Sequence, residues 1–226
     1  MNILVLGGGT KGKFGNDFVS KAKEEGHAVK VLSHIDHQYN DPNYSWANYD
    51  DLDDVRIKIK DLVKDLPCID LVLFNQNHAG HPNGKVFVNN PSEYEYYKTL
   101  RIQVVIPHVT VENVYDKLHA SSKIVFMTTN CALTFENDKW TDLAGYSGGK
   151  AYALHLMRLI AMHNDIGFTC HAVSPSFRYD DLDHYNNVFS HTYKHIMTHG
   201  QDFNGKIVGS WDPNGHMPIV GQIQWK

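Results

Sequence analysis

Two groups of residues in this chain have the types and the spacing to do chemistry together. Tyr146-Ser147-Gly148-Gly149-Lys150 sets a phenol and an ammonium four residues apart, so that on a helix both address one site. A phenol of pKa about 10 is a poor proton shuttle at neutral pH, and a neighbouring cation favours its ionised form. Spacing alone decides little, because Tyr94 and Lys98 form a second such pair. Context separates them. Tyr146 has small neighbours that permit close approach and lies downstream of the hydroxyls Thr128 and Thr129, whereas Tyr94 sits in a crowded run of Glu and Tyr after Pro91.

The second group is the turn Gly7-Gly8-Gly9-Thr10-Lys11-Gly12-Lys13-Phe14-Gly15, between an apolar run and an amphipathic one. The spacing Gly9-x-x-Gly12-x-x-Gly15 suits a pyrophosphate held on the backbone amides of a helix N-terminus, where a Cβ would obstruct it. The third glycine would let the helix pack close to the strand. Gly9, Thr10, Lys11, Gly12, Phe14 and Gly15 are therefore the expected cofactor contacts. The second apolar run ends Val31-Leu32-Ser33-His34, with no acid until Asp36. Ser33, His34 and Lys11 would welcome a 2′-phosphate that a carboxylate would repel. The reading favours NADP(H), with NAD(H) as the alternative.

Elements that position these groups follow from periodicity. Short apolar runs alternate with longer amphipathic ones, the pattern of an α/β protein whose parallel sheet carries helices on both faces. Strands are predicted at 2–6, 28–33, 70–74, 123–128, 169–173 and 206–208, with a weaker one before Asp50. Helices are predicted at 16–25, 53–66, 92–118, 144–164 and around 188–198. Pro107 should bend or break the third of these. In the run Asp50-Asp51-Leu52-Asp53-Asp54 the last two carboxylates are expected to cap a helix start. No repeat or linker divides residues 1–226, which are read as one Rossmann-type, doubly wound domain.

Composition bounds the function. A formal net charge of −4 gives no electrostatic reason to expect nucleic acid or an anionic membrane as partner. The three cysteines, Cys68, Cys131 and Cys170, are widely spaced and read as reduced thiols rather than a disulfide framework or zinc site. The opening apolar run is too short for a signal peptide, and no later run approaches a membrane span. A cytoplasmic protein is expected. His191, His195 and His199 recur at helical spacing, but without a carboxylate-bearing pattern they read as a polar helix face, and no metal site is expected.

With both groups in place, the chain resembles the short-chain dehydrogenase/reductase family from Met1 to about Val208. The glycine turn, the strand-end hydroxyls and Tyr146-x-x-x-Lys150 come in that family's order. Asp70 to Asn75 resembles its strand ending in Asn-Ala-Gly, here Asn75-Gln76-Asn77. Tyr49 to Asp54 resembles its adenine-holding acidic turn, with Asp51 and Leu52 as the best matches. Ala172-Val173-Ser174-Pro175-Ser176 resembles the loop beside the nicotinamide, with Ser176 replacing glycine.

The resemblance implies roles. Tyr146 would be general acid/base, Lys150 would hold the nicotinamide ribose and lower the phenol's pKa, and Thr129 would hydrogen-bond the reacting oxygen. Asn75, Gln76, Asp51, Leu52, Pro175 and Ser176 would contact the cofactor. The implied activity is NADP(H)-dependent interconversion of a carbonyl and an alcohol on a small or medium-sized substrate, in a homodimer or homotetramer built on the 144–164 helix. Two other readings are a cofactor-sensing protein that has lost turnover and an epimerase or dehydratase using the same tyrosine. The resemblance also implies a substrate lid around 176–204, short for that family, and the chain departs from the family where a helix asparagine usually joins the proton relay. That stretch reads Thr99-Leu100-Arg101-Ile102-Gln103, with Arg101 nearest the position.

Overall fold

The computed structural model describes residues 1–9, 13–36, 41–76, 93–129, 144–175, 180–198 and 200–209. Among the described residues seven strands form one parallel sheet: β1 (Asn2–Leu6), β2 (Ala28–Ser33), β3 (Tyr44–Trp46), β4 (Leu71–Phe74), β5 (Lys123–Met127), β6 (Thr169–Val173) and β7 (Ile207–Val208). Their order is β3-β2-β1-β4-β5-β6-β7. This is the doubly wound arrangement expected, and β3 is the weaker strand predicted before Asp50. The order reverses between β1 and β4, which pair from Ile3 with Leu71 to Leu6 with Phe74.

Because helices cover both faces, the strands are apolar on both sides. Leu4, Leu6, Val72, Phe74, Ile124 and Phe126 face a core shared with α2 (Leu52–Val63), α4 (Ile106–Val114) and α5 (Ala144–Met162). Ile3, Val5, Leu71, Leu73, Val125 and Met127 face the other, shared with α1 (Phe14–Glu24) and α6 (Leu182–Thr198). Helix α6 is longer than the sequence suggests and fills most of the stretch expected to be a lid. It runs along α1. Phe14 meets Phe189 edge-on at 5.6 Å and Phe18 meets Tyr193 at 5.1 Å. The phenols of Tyr185 and Tyr193 donate to Asp17 and Glu25.

Two predicted elements are corrected. Asp51, not Asp53 or Asp54, caps α2, its Oδ1 accepting the N–H groups of Asp53 and Asp54 at 3.0 and 3.2 Å. Asp53 pairs instead with Arg56, and Asp54 accepts the N–H of Asn48. The helix predicted over 92–118 becomes α3 (Glu93–Leu100), a π-helical turn (Arg101–Val105), α4 and a final 3₁₀ turn (Tyr115–Lys117). Pro107 is the reason. It brings no N–H to the turn preceding it, and the N–H of Ile106 reaches back five residues to the Arg101 carbonyl. The extra residue is absorbed as a π-turn instead of a sharp break.

Lys123 lies beneath α6, its Nζ donating to the carbonyls of Ile196 and Met197 at 2.8 and 2.7 Å. The ammonium thus ties down the C-terminal end of the helix. Burial pushes its pKa down from 10.5 to about 8, against the opposing pull of Asp70. An amine with a lower pKa in the folded state binds fewer protons there than in the unfolded chain. Its contribution to stability therefore rises as pH climbs from about 8 to about 10.5. The wild type should gain up to about 3 kcal/mol over Lys123→Met across that window in urea unfolding.

Candidate functional site

The carboxyl ends of β1, β4, β5 and β6 converge on one edge of the sheet, and the crevice between β1 and β4 is where such folds take ligands. Gly7 opens the turn there with φ 86°, a conformation most side chains avoid. A Cβ on Gly7 would stand 2.6 Å from the backbone of Gln76. Gly15, in the first turn of α1, is packed as tightly. Its Cβ would lie 2.3 Å from the Asn75 amide nitrogen and 2.4 Å from the Gly7 carbonyl. Asn75 closes the group by donating from Nδ2 to that carbonyl at 2.9 Å. The third glycine of the spacing therefore brings helix and strand together as predicted, and Asn75 acts as the clamp.

Tyr146 and Lys150 lie on one face of α5. The Lys150 ammonium is buried, 6% exposed, and stands 6.0 Å from the centre of the half-buried Tyr146 ring. It donates to the carbonyl of Met127, the last residue of β5, at 2.9 Å. Thr128 and Thr129 follow directly. The Thr128 N–H is fixed on the Val173 carbonyl at 2.8 Å, and Thr129 is half-buried beside it. Pro175 follows β6, where the N–H of Ser174 is held by Val208. The phenol, the ammonium, the hydroxyls and Pro175 thus gather around the ends of β5 and β6.

Other sequence-predicted residues divide. Ser33 is buried at the end of β2, its Oγ accepting the Ile35 N–H at 3.1 Å. The His34 ring lies 5.5 Å from that of Tyr49. The phenol of Tyr49 is buried and has its pKa pushed up by desolvation. Asp51 and half-buried Leu52 begin α2 beyond β3. Phe14 is packed into the α1–α6 layer, ring to ring with Phe18 and Phe189, more core residue than exposed contact. Gly9 is buried at the turn. Thr10, Lys11, Gly12 and Ser176 lie outside the described residues, as does His199. His195 is buried against His171 and Phe203 while His191 is half-buried, so these two do not share an exposed face.

The π-turn sends Arg101 and Gln103 in different directions. Arg101 points away, donating to the Asp50 carbonyl at 2.7 Å with the Asp50 carboxylate 3.6 Å off. Gln103 lies against α5 instead. A Cβ on Gly149 would come 2.3 Å from the Gln103 Oε1 and 3.3 Å from Thr99. Arg101 was singled out because it falls nearest the family's asparagine in order along the chain, and Pro107 was the available signal that the helix would not be regular here.

Gln76 is tied to the same irregularity. In the π-turn the Ile106 N–H passes over the Ile102 carbonyl, and Pro107 offers no N–H to replace it. The buried Gln76 amide does so, donating from Nε2 at 3.2 Å. Gln76, two residues past β4, thereby fastens the end of that strand to the turn that carries Gln103. Replacing Gln76 with Met keeps the volume and leaves that carbonyl unsatisfied. It should cost about 1–3 kcal/mol of stability, read as a lower urea midpoint.

No protein-family model and no curated protein matches the chain by sequence. Solved structures do match by fold. An oxidoreductase of the short-chain dehydrogenase/reductase family from Brucella ovis, in complex with a partially ordered NAD, superposes with a TM-score of 0.74 at 15% identity, over 92% of this chain and 98% of that one. A proposed short chain dehydrogenase from Shigella flexneri complexed with NADP gives 0.73 at 14%, over 92% and 96%. A short-chain dehydrogenase/reductase from Serratia marcescens gives 0.69 at 15%, over 92% and 94%. The chain has the fold of these proteins.

Proposed function

We propose that the protein is a nicotinamide-dinucleotide-dependent oxidoreductase of the short-chain dehydrogenase/reductase type, interconverting a carbonyl and an alcohol. The observation that carries this is the buried Lys150 ammonium, held on the Met127 carbonyl beside the Tyr146 ring at the carboxyl edge of the sheet.

The residues fit a dinucleotide. Gly7 and Gly15 pack closely beside the N-terminus of α1, where backbone amides suit a pyrophosphate. Two buried polar atoms on the same edge, Gln76 Oε1 and Thr128 Oγ1, have no hydrogen-bond partner among the described residues. A bound nicotinamide and ribose would supply partners for both. When bound, the cofactor supplies hydride exchange with a carbon of the substrate. Lys150 would bind the nicotinamide ribose and hold positive charge near the phenol. Thr129 would orient the substrate oxygen by hydrogen bond. Tyr146 would give that oxygen a proton in reduction and take it back in oxidation.

NADP(H) is favoured over NAD(H) because β2 ends Val31-Leu32-Ser33-His34, with no carboxylate before Asp36 in the sequence. Ser33 uses its oxygen on the Ile35 amide, which still leaves the hydroxyl proton to donate. A homo-oligomer is part of the proposal. Tyr152, Leu159 and Met162 are exposed along one side of α5, at spacings that share a helix face.

A panel of small carbonyl compounds with NADPH, followed by absorbance, tests the activity. Tyr146→Phe should lower turnover by at least about 10²–10⁴-fold, the range for loss of a general acid, while cofactor binding by fluorescence is unchanged. Full activity in that variant would remove the role from Tyr146. Cofactor binding without oxidation on any substrate would favour a sensing protein, and tighter NADH than NADPH binding would reverse the cofactor preference.

A further inference from the structure

At the opposite edge of the sheet, where the strands begin, three side chains of metal-ligating type come together outside the cofactor crevice. Cys68 and Asp70 immediately precede β4, and His119 lies in the turn leading to β5. A thiol sulfur, a carboxylate oxygen and an imidazole nitrogen all lie within 4.8 Å of one another. The His119 Nε2 is 3.1 Å from the Asp70 Oδ1.

The backbone under these groups is fixed. Asp70 donates its N–H to the Asn2 carbonyl, and its own carbonyl accepts from Lys123, both at 2.9 Å. The Ser122 hydroxyl donates to the Ile69 carbonyl at 2.7 Å and accepts the His119 N–H at 2.9 Å, so the turn carrying the imidazole is anchored beside the strand carrying the carboxylate. Asn2 adds a second layer. Its N–H donates to the Asp70 Oδ2 at 2.6 Å, and its side-chain amide reaches the Cys68 Sγ at 3.7 Å. That is the kind of outer support that orients metal ligands.

We propose that Cys68, Asp70 and His119 form a site for a thiophilic divalent cation of the zinc class, with solvent at the fourth position. Thiolate with imidazole selects such an ion over magnesium or calcium. Bonds of about 2.3 Å to sulfur and about 2.0–2.2 Å to nitrogen and oxygen put tetrahedral ligands about 3.3–3.8 Å apart, a separation that small side-chain rotations reach from the present one. The Asp70 carboxylate has lone pairs beyond the one used by Asn2. Binding exchanges the Asp70–His119 hydrogen bond for two metal bonds and releases the thiol proton, so affinity falls as pH is lowered. Each of the three half-buried side chains leaves the fourth position open to water. The ion would brace the starts of β1, β4 and β5, far along the strands from Tyr146, and the proposal does not depend on the oxidoreductase reading.

Titration of the full chain with Co²⁺, in a reductant that carries no thiol, reads the site directly. One equivalent should produce tetrahedral visible bands together with a thiolate-to-cobalt charge-transfer absorption, and Zn²⁺ should displace it. Cys68→Ser should abolish the charge-transfer absorption. His119→Gln, which retains a hydrogen-bond donor for Asp70, should weaken binding by more than the 10–100-fold typical of losing an outer-layer partner. Zn²⁺ should raise the melting temperature of the wild type and leave both variants unchanged. Absence of uptake by the wild type would overturn the proposal. So would a charge-transfer absorption that persists in Cys68→Ser, which would assign the ion to another cysteine.

Discussion

The hydrogen bond from Lys150 to the Met127 carbonyl joins the two halves of the candidate site. An ammonium removed from water needs compensation by hydrogen bonds and nearby negative dipoles. Here a carbonyl at the last residue of a central strand provides one. Its position fixes the rotation of α5 about its axis, and with it the direction of Tyr146 one turn earlier. It also sets both groups beside Thr128 and Thr129, which continue the chain from Met127. A charged group anchored in this way keeps a fixed place in the fold, which is what the proposed role of Lys150 requires.

The rest of the carboxyl edge answers to constraints of close approach. Gly7, Gly15 and Asn75 bring α1 against the crevice between β1 and β4 at distances that leave no room for a Cβ. Gln76, next along from Asn75, carries that constraint to the π-turn through the Ile102 carbonyl. The π-turn in its turn presents Gln103 to Gly149, one residue before Lys150. Proline geometry, amide hydrogen bonding and glycine packing thus form one continuous path from the glycine turn to the buried lysine.

Much of this was legible in the amino-acid order. Tyr146 and Lys150 could be paired because an α-helix brings residues four apart onto one face, and the role of Gly15 followed from the need for a strand and helix to touch. Alternation of apolar runs located six of the strands among the described residues and pointed to the three-residue β3 as a weaker one before Asp50. What the sequence hid were consequences of register and sheet neighbourhood. The Pro107 break was visible, but not that it would be absorbed as a π-turn, which turns Gln103 toward α5 and Arg101 toward Asp50. Asp51 was overlooked as a cap because three other carboxylates adjoin it. Cys68, Asp70 and His119 became a cluster only when β4 and β5 were known to pair, since 49 residues separate the carboxylate from the imidazole.

The central claim is spatial: a dinucleotide lies across the switch between β1 and β4 with its nicotinamide end at Tyr146 and Lys150. A crystal structure of the protein grown with reduced NADP tests it most directly. The account predicts the pyrophosphate on the amides at the start of α1 and the nicotinamide ribose within hydrogen-bond reach of Lys150 and the Tyr146 hydroxyl. A dinucleotide bound at another edge, or one whose nicotinamide lies out of reach of that phenol, would contradict it.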